Sequence, residues 1–172
     1  MPSHRAIVTP WKSASGRIAM PRIRILIADD HPGVRAGLRA LLEAQPDIEV
    51  VGEAADGVDA VEACRQLSPD VVLMDLTMPR MSGLSATAEI HQVCPYTKVL
   101  ALTMHEEVAY VREALLAGAG GYALKKSPAK ELIDAIRAVH GGRRYITPSL
   151  ARELAAAERR SLAREQKPLP RA

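Results

Sequence analysis

An α/β fold built on a parallel sheet is what this 172-residue sequence predicts, and three observations predict it. From Ile23 to His140, short apolar runs alternate with segments of helical period, and the alternation repeats five times, a (βα)5 pattern. The runs are rich in Ile, Leu and Val with little polar interruption, as strands covered by helices on both faces must be. Acidic, hydroxyl and ammonium side chains fall at the ends of these runs, where open parallel sheets bind ligands.

The elements follow in order. Ile23 to Ala28 is the first strand, and Pro32 suits the opening turn of a helix reaching Ala44, with Val34, Leu38, Leu41 and Leu42 on one stripe. Ile48 to Glu53 is the second strand, followed by a helix from Asp56 or Gly57 to Leu67. Val71 to Met74 is the third strand, and Leu84 to Val93 fits the third helix. Lys98 to Thr103 is the fourth, leading to a helix over Glu106 to Ala117 with Val108, Val111, Leu115 and Leu116 as its apolar positions. Gly121 to Lys125 is a short fifth strand, and Pro128 to His140 closes the series with Leu132, Ile133, Ile136 and Val139.

Beyond His140, Thr147 and Pro148 form an N-cap and first-turn pair for one more helix, through about Arg160. Its stripe is Leu150, Leu154, Ala157 and Leu162, and the closing KPLPRA is not expected to be helical. At the other end, residues 1–21 show scattered Pro, Ser and basic residues without a period, so they read as a disordered extension. Met20 is also a plausible native start, which would make that extension an artefact of annotation.

Composition narrows the class. Hydrophobic residues are 48% and charged residues 25%, ordinary for a globular protein, while the absence of Phe leaves an aliphatic core. Cys64 and Cys94 stand far apart with no CxxC or His cluster, which suggests neither a disulfide framework nor a zinc site; each reads as a small buried hydrophobe. No run is long enough to span a membrane and no signal-peptide core is present, so the expected location is a reducing cytoplasm. The basic excess lies in the tails: residues 1–21 and 151–172 each carry +3, leaving −3 between them, which is weak support for nucleic-acid contact by the central domain.

The strand ends assemble a specific chemistry. Asp29 and Asp30 follow the first strand, Asp75 the third, Thr103 ends the fourth and Lys125 the fifth. Three converging acids oppose one another's ionisation and call for a cation, and hard oxygen donors suit Mg²⁺. Lys125 and Thr103 supply a positive charge and a hydroxyl where a tetrahedral anion needs them. The set suits phosphoryl transfer onto a carboxylate. Taken singly, Asp30 also reads as a helix N-cap, Thr103 as a strand-end hydroxyl, Lys125 as a solvated lysine and Asp75 as a turn opener. His31 and His105 adjoin the set, with solvation or packing expected rather than metal ligation. Gly118, Gly120 and Gly121 do not lead from a strand into a helix and are no dinucleotide fingerprint.

The stretches ILIADDHPGVRAGLRALLE, DVVLMDLTMPRMSGL, VLALTMHEE and GAGGYALKKS resemble the receiver domain of two-component response regulators, over about residues 22–142. DDHPGVRAGL and GGRRYITP are most similar to the NarL/LuxR subgroup. The resemblance implies a flavodoxin-like fold with strand order 2-1-3-4-5. It implies that Asp75 is the phosphoacceptor for a sensor histidine kinase, with slow self-dephosphorylation. It further implies Mg²⁺ held by Asp29, Asp30, Asp75 and the Thr77 backbone carbonyl, with Lys125 and Thr103 on phosphoryl oxygens and Thr103 and Tyr122 as switch residues. A homodimer through the face of the fourth helix, fifth strand and fifth helix is also implied, roughly Glu106 to His140.

Subgroup relatives continue into a helix-turn-helix of ~60 residues. This sequence stops at Ala172, so residues 143–172 read as a linker helix and charged tail with that output domain absent or truncated, and DNA binding by this chain is not expected. Two further readings compete: a phosphatase or phosphotransferase with Asp75 as nucleophile, and a pseudo-receiver that works without phosphorylation. Thr77 stands where such an enzyme usually places a second acid, and the pseudo-receiver usually lacks one of the residues present here.

Overall fold

The strands β1 (Ile23–Ala28), β2 (Ile48–Ala54), β3 (Val71–Met74), β4 (Lys98–Thr103), β5 (Gly121–Leu124) and β6 (Tyr145–Ile146) form one sheet, in a computed structural model that describes residues 20–167. The expectations for residues 1–19 and 168–172 lie outside the described residues. Every pairing is parallel, and the order is β2-β1-β3-β4-β5-β6. The helices are α1 (Pro32–Glu43), α2 (Gly57–Leu67), α3 (Gly83–Val93), α4 (Val108–Leu116), α5 (Ala129–His140) and α6 (Pro148–Glu165).

The two-residue period of a strand splits the core. On β1, Ile23, Ile25 and Ile27 pack with Leu42 of α1 and with Leu132, Ile133, Ile136 and Val139 of α5. Leu26 and Ala28 face the opposite way, toward Ala60, Val61 and Cys64 of α2 and Ala86 and Ile90 of α3. A third cluster joins Val111 and Ala114 of α4 to Leu150 and Leu154 of α6 around Tyr122. Apart from Tyr122 the largest fully buried side chains are Ile, Leu and Met, the aliphatic interior expected without Phe. Leu116 and Leu162, placed on apolar stripes by their spacing, are exposed instead.

Beyond shifts of a single residue at element ends, two boundaries and one added strand differ from expectation for local reasons. Helix α4 begins at Val108 rather than Glu106, with Glu107 extended as its N-cap and His105 held outside the helix: its N–H donates to Thr103 Oγ1 at 3.1 Å and its carbonyl accepts from Tyr122 OH at 2.8 Å. Helix α6 continues to Glu165, five residues past Arg160, through a run of strong helix formers that meets no breaker. The strand β6 was not expected from sequence: at two residues it is too short to show a period, and it forms because β5 offers an open edge, pairing Tyr145 with Gly121 and Ile146 with Tyr122.

Thr147 does precede α6, but its hydroxyl does not cap the helix; it accepts the Leu124 N–H at 3.3 Å, extending the β5 edge contact. Thus β6 and α6 lie against part of the face formed by α4, β5 and α5. Cys64 and Cys94, distant in sequence, pack into one cluster at the ends of α2 and α3. Both are free thiols, and burial, with Cys94 adjacent, pushes the Cys64 thiol up to about 12.

Candidate functional site

The order β2-β1-β3 makes the chain leave β1 and β3 toward opposite faces, which opens a crevice at their carboxyl ends. Ala28 pairs with Met74, so Asp29 and Asp75 emerge side by side as the next residue on each strand. Their backbones remain tied to the sheet: Asp75 N–H donates to Ala28 O at 2.9 Å, and Asp29 N–H to Ala54 O at 3.0 Å. Both carboxylates therefore stand on rigid strand ends. Lys125 is fixed in the same way, its N–H donating to Thr103 O at 2.8 Å just past β5.

The ammonium of Lys125 donates to Asp29 Oδ2 at 2.6 Å and lies 3.4 Å from Asp75 Oδ2. Asp75 is 6% exposed and Asp29 2%. The remaining oxygens are held by backbone: Asp29 Oδ1 accepts the His31 N–H at 2.9 Å, and Asp75 Oδ1 the Thr77 N–H at 3.3 Å. Burial holds the Asp75 carboxyl above the usual carboxylate range; Lys125 pulls the other way, and Asp29 adds to the rise. Burial acts to lower Lys125, yet the Asp29 hydrogen bond and the Asp75 charge outweigh it and keep the ammonium above an ordinary lysine.

Asp30 does not cap α1, since the N-cap position belongs to His31. Its Oδ1 is instead buried without a hydrogen-bond partner, with His31 Nδ1 at 3.0 Å outside bonding geometry. A carboxylate oxygen removed from water and given no donor is costly. One donor atom from each of Asp29, Asp30, His31 and Asp75 falls within 4.8 Å of the others. Three hard oxygen donors, one of them orphaned, fit a divalent cation such as Mg²⁺.

Thr103 is buried, but its hydroxyl faces the β4–α4 connection, accepting from His105 N–H, and makes no hydrogen bond to Asp75 among the described residues. Tyr122 is fully buried beneath that connection, its hydroxyl on His105 O, and burial pushes its pKa up. His105 is thus a hub that spacing did not reveal: besides these bonds its ring shares a hydrogen bond with Thr77 Oγ1 at 2.9 Å and stacks on Tyr110 at 4.1 Å. His31 is largely exposed, as expected, yet reaches both acids at 3.0 and 3.2 Å.

Two arginines near the site also escaped sequence reasoning. Arg35 donates to the Asp29 carbonyl at 2.6 Å, and Arg80 pairs with Asp56 at 3.0 Å. The signal for Arg35 was its place one helical turn after His31; for Arg80 none existed, since Asp56 is 24 positions away. Gly83 has a steric role: a Cβ there would lie 1.9 Å from Asp75 O, so only glycine lets α3 start against the strand end. Chemically, the crevice presents a buried carboxylate beside a fixed ammonium and an incompletely satisfied acid pair.

The family model described as the response regulator receiver domain matches residues 25–137. Oxygen regulatory protein NreC of Staphylococcus carnosus is 47% identical over 133 residues, covering 77% of this chain and 61% of NreC. Response regulator UvrY of Escherichia coli is 44% identical over 133 residues, with the same coverage of 77% and 61%. The chain therefore spans about three fifths of the length of these curated relatives. Among solved structures, a LuxR-family two-component response regulator from Aurantimonas sp. SI85-9A1 is similar with TM-score 0.77 and 43% identity, over 80% of this chain and 98% of that one. The isolated REC domain of RcsB from Salmonella enterica serovar Typhimurium, in the presence of phosphomimetic BeF3-, is similar with TM-score 0.70 and 29% identity, over 76% and 97%.

Proposed function

Because this chain belongs to the response regulator receiver domain family, we propose that Asp75 accepts a phosphoryl group from the phosphohistidine of a sensor histidine kinase. An Asp75 carboxylate oxygen forms the new O–P bond, the N–P bond of the donor breaks, and the freed imidazole takes a proton. The observation that carries this reading is a buried carboxylate held at a strand end, 3.4 Å from an ammonium that is itself anchored on Asp29.

Asp29, Asp30 and Asp75 would hold Mg²⁺, with the Thr77 carbonyl as a further donor. When bound, Mg²⁺ would supply positive charge against the incoming phosphoryl oxygens. Lys125 remains on Asp29 and turns its field on the phosphoryl group. Thr103 leaves the His105 N–H to donate to another phosphoryl oxygen, and Tyr122 carries that change into the α4 side of the molecule. The added charge of about −1.5 to −2 shifts a pre-existing equilibrium between conformers.

The receiver spans residues 22–142, and 143–172 is a linker segment. The output of this switch is control of a partner or of transcription, a reading supported by the names of relatives: NreC is an oxygen regulatory protein and DegU of Brevibacillus brevis a transcriptional regulatory protein. The protein acts in the cytoplasm as a switch that loses its phosphoryl group slowly, with a histidine kinase and a second copy of itself as partners. Among the described residues, no helix is long and apolar enough to cross a membrane.

Incubation with Mg²⁺ and acetyl phosphate, followed by intact mass, tests the proposal. One added phosphoryl group that requires Mg²⁺ and is absent from Asp75→Asn is the expected result; an adduct that persists in Asp75→Asn would sink it.

A further inference from the structure

The loop between Asp75 and Gly83 is fastened to a neighbour outside the acid crevice. Arg80 has φ of 63°, a left-handed backbone conformation that a long side chain adopts at a cost. Its guanidinium reaches across to the start of α2, 3.0 Å from Asp56 Oδ2 and 3.5 Å from Asp59 Oδ1. Asp56 is 6% exposed and uses its other oxygen to cap α2, accepting the Asp59 N–H at 2.8 Å. Beside this pair, Gly57 N–H donates to Met81 O at 3.1 Å, and a Cβ on Gly57 would lie 2.3 Å from that oxygen.

The end of β2 that leads into α2 is in turn bound to the strand end bearing Asp29, because Ala54 O accepts the Asp29 N–H at 3.0 Å. One short segment, Ala54 to Gly57, therefore touches both the strand end that bears Asp29 and the loop that follows Asp75. Arg80 is the only side chain of that loop that makes an ion pair with it, among the described residues.

We infer that Arg80 is a positioning residue for the phosphoacceptor loop: its ion pair with Asp56 holds residues 76–82 in the conformation that aims Asp75 and the Thr77 N–H into the crevice. The inference rests on the reading of Asp75 as phosphoacceptor. Small displacements of a reacting group are expensive in rate, and Arg80 is the side-chain anchor of a loop otherwise tied by backbone hydrogen bonds such as Gly57 N–H to Met81 O. Arg80 itself remains more than half exposed, so the effect belongs to positioning and leaves global stability nearly unchanged.

The test measures Mg²⁺-dependent uptake of phosphate from acetyl phosphate across a range of donor concentrations, for the full chain and for Asp56→Asn, Arg80→Met, Arg80→Lys, Arg80→Gly and the Asp56→Asn/Arg80→Met double variant. Asp56→Asn keeps an oxygen for the α2 cap while removing the charge. Arg80→Gly relieves the left-handed backbone while removing the guanidinium. Expected are maximal rates roughly 5-fold lower for Asp56→Asn, Arg80→Met and Arg80→Gly, at unchanged half-saturating donor concentration, with the double variant no slower than either single and Arg80→Lys recovering most of the rate. Wild-type rates in Arg80→Met or Arg80→Gly, or independent multiplication of the two defects, would overturn the inference. A wild-type chain that takes up no phosphate would instead overturn the reading of Asp75, and this inference with it.

Discussion

Lys125 Nζ binds Asp29 Oδ2 at 2.6 Å, closer than it stands to Asp75 Oδ2 at 3.4 Å. The lysine is anchored on Asp29 rather than on Asp75, the proposed phosphoacceptor, which leaves its charge in place while the Asp75 oxygens are in use. Removing it strands two buried acids, Asp29 and Asp75, without their cation. Lys125→Met should destabilise the fold by about 2–4 kcal/mol in metal-free buffer, with added Mg²⁺ recovering part of the loss. Urea titrations with and without Mg²⁺ measure both quantities; equal losses in the two buffers would contradict the shared site.

The pH dependence follows from the same pair. Asp75 has a folded pKa raised by burial, so between its ordinary value and that raised value the folded state binds the extra proton, and stability falls as pH rises through the window. Asp75→Asn removes this loss. The variant should be more stable than wild type at neutral pH, with the gap closing as pH drops below the carboxylate range. Lys125 is also raised, so its contribution is complete below the ordinary lysine pKa and is lost above it, as pH climbs through the folded value. Denaturant midpoints across pH would show both limbs.

Gly83→Ala should be the most damaging single methyl group in the molecule. Its Cβ would sit 1.9 Å from Asp75 O and 2.7 Å from Leu76 Cα, both backbone atoms that cannot rotate away. We expect a loss of about 1–3 kcal/mol and slower phosphate uptake, because relief of the clash must move the strand end. Thermal melts and intact-mass kinetics on one preparation give the two readouts.

Tyr122→Phe removes the hydroxyl that donates to His105 O at 2.8 Å, in a fully buried position. The cost should be about 1–2 kcal/mol, and the amides of residues 104–107 should exchange faster, since the bond that keeps this segment out of α4 is gone. Hydrogen exchange read by mass spectrometry is the direct check. Unchanged exchange there would mean that Thr103 alone holds His105.

Leu150→Ala tests the seat of α6. Leu150 is 2% exposed in the cluster with Val111, Ala114 and Tyr122, and its truncation should cost about 2–4 kcal/mol. Cleavage within residues 148–165 by limited proteolysis should appear at lower protease concentrations than in wild type, with the rest of the chain left intact.

The sequence by itself determined the five repeating units, because buried parallel strands and amphipathic helices write different periods into one chain. It determined the candidate acids too, since their place at the ends of apolar runs follows from the same pattern. The tertiary structure decided what periodicity does not encode. A two-residue strand such as β6 exists only because β5 has a free edge. Arg80 meets Asp56 across 24 positions through the packing of α2 beside the β3–α3 loop. Thr103 lies within the predicted set, but the direction of its hydroxyl toward His105 is a choice among hydrogen-bond partners that only the folded chain brings within reach.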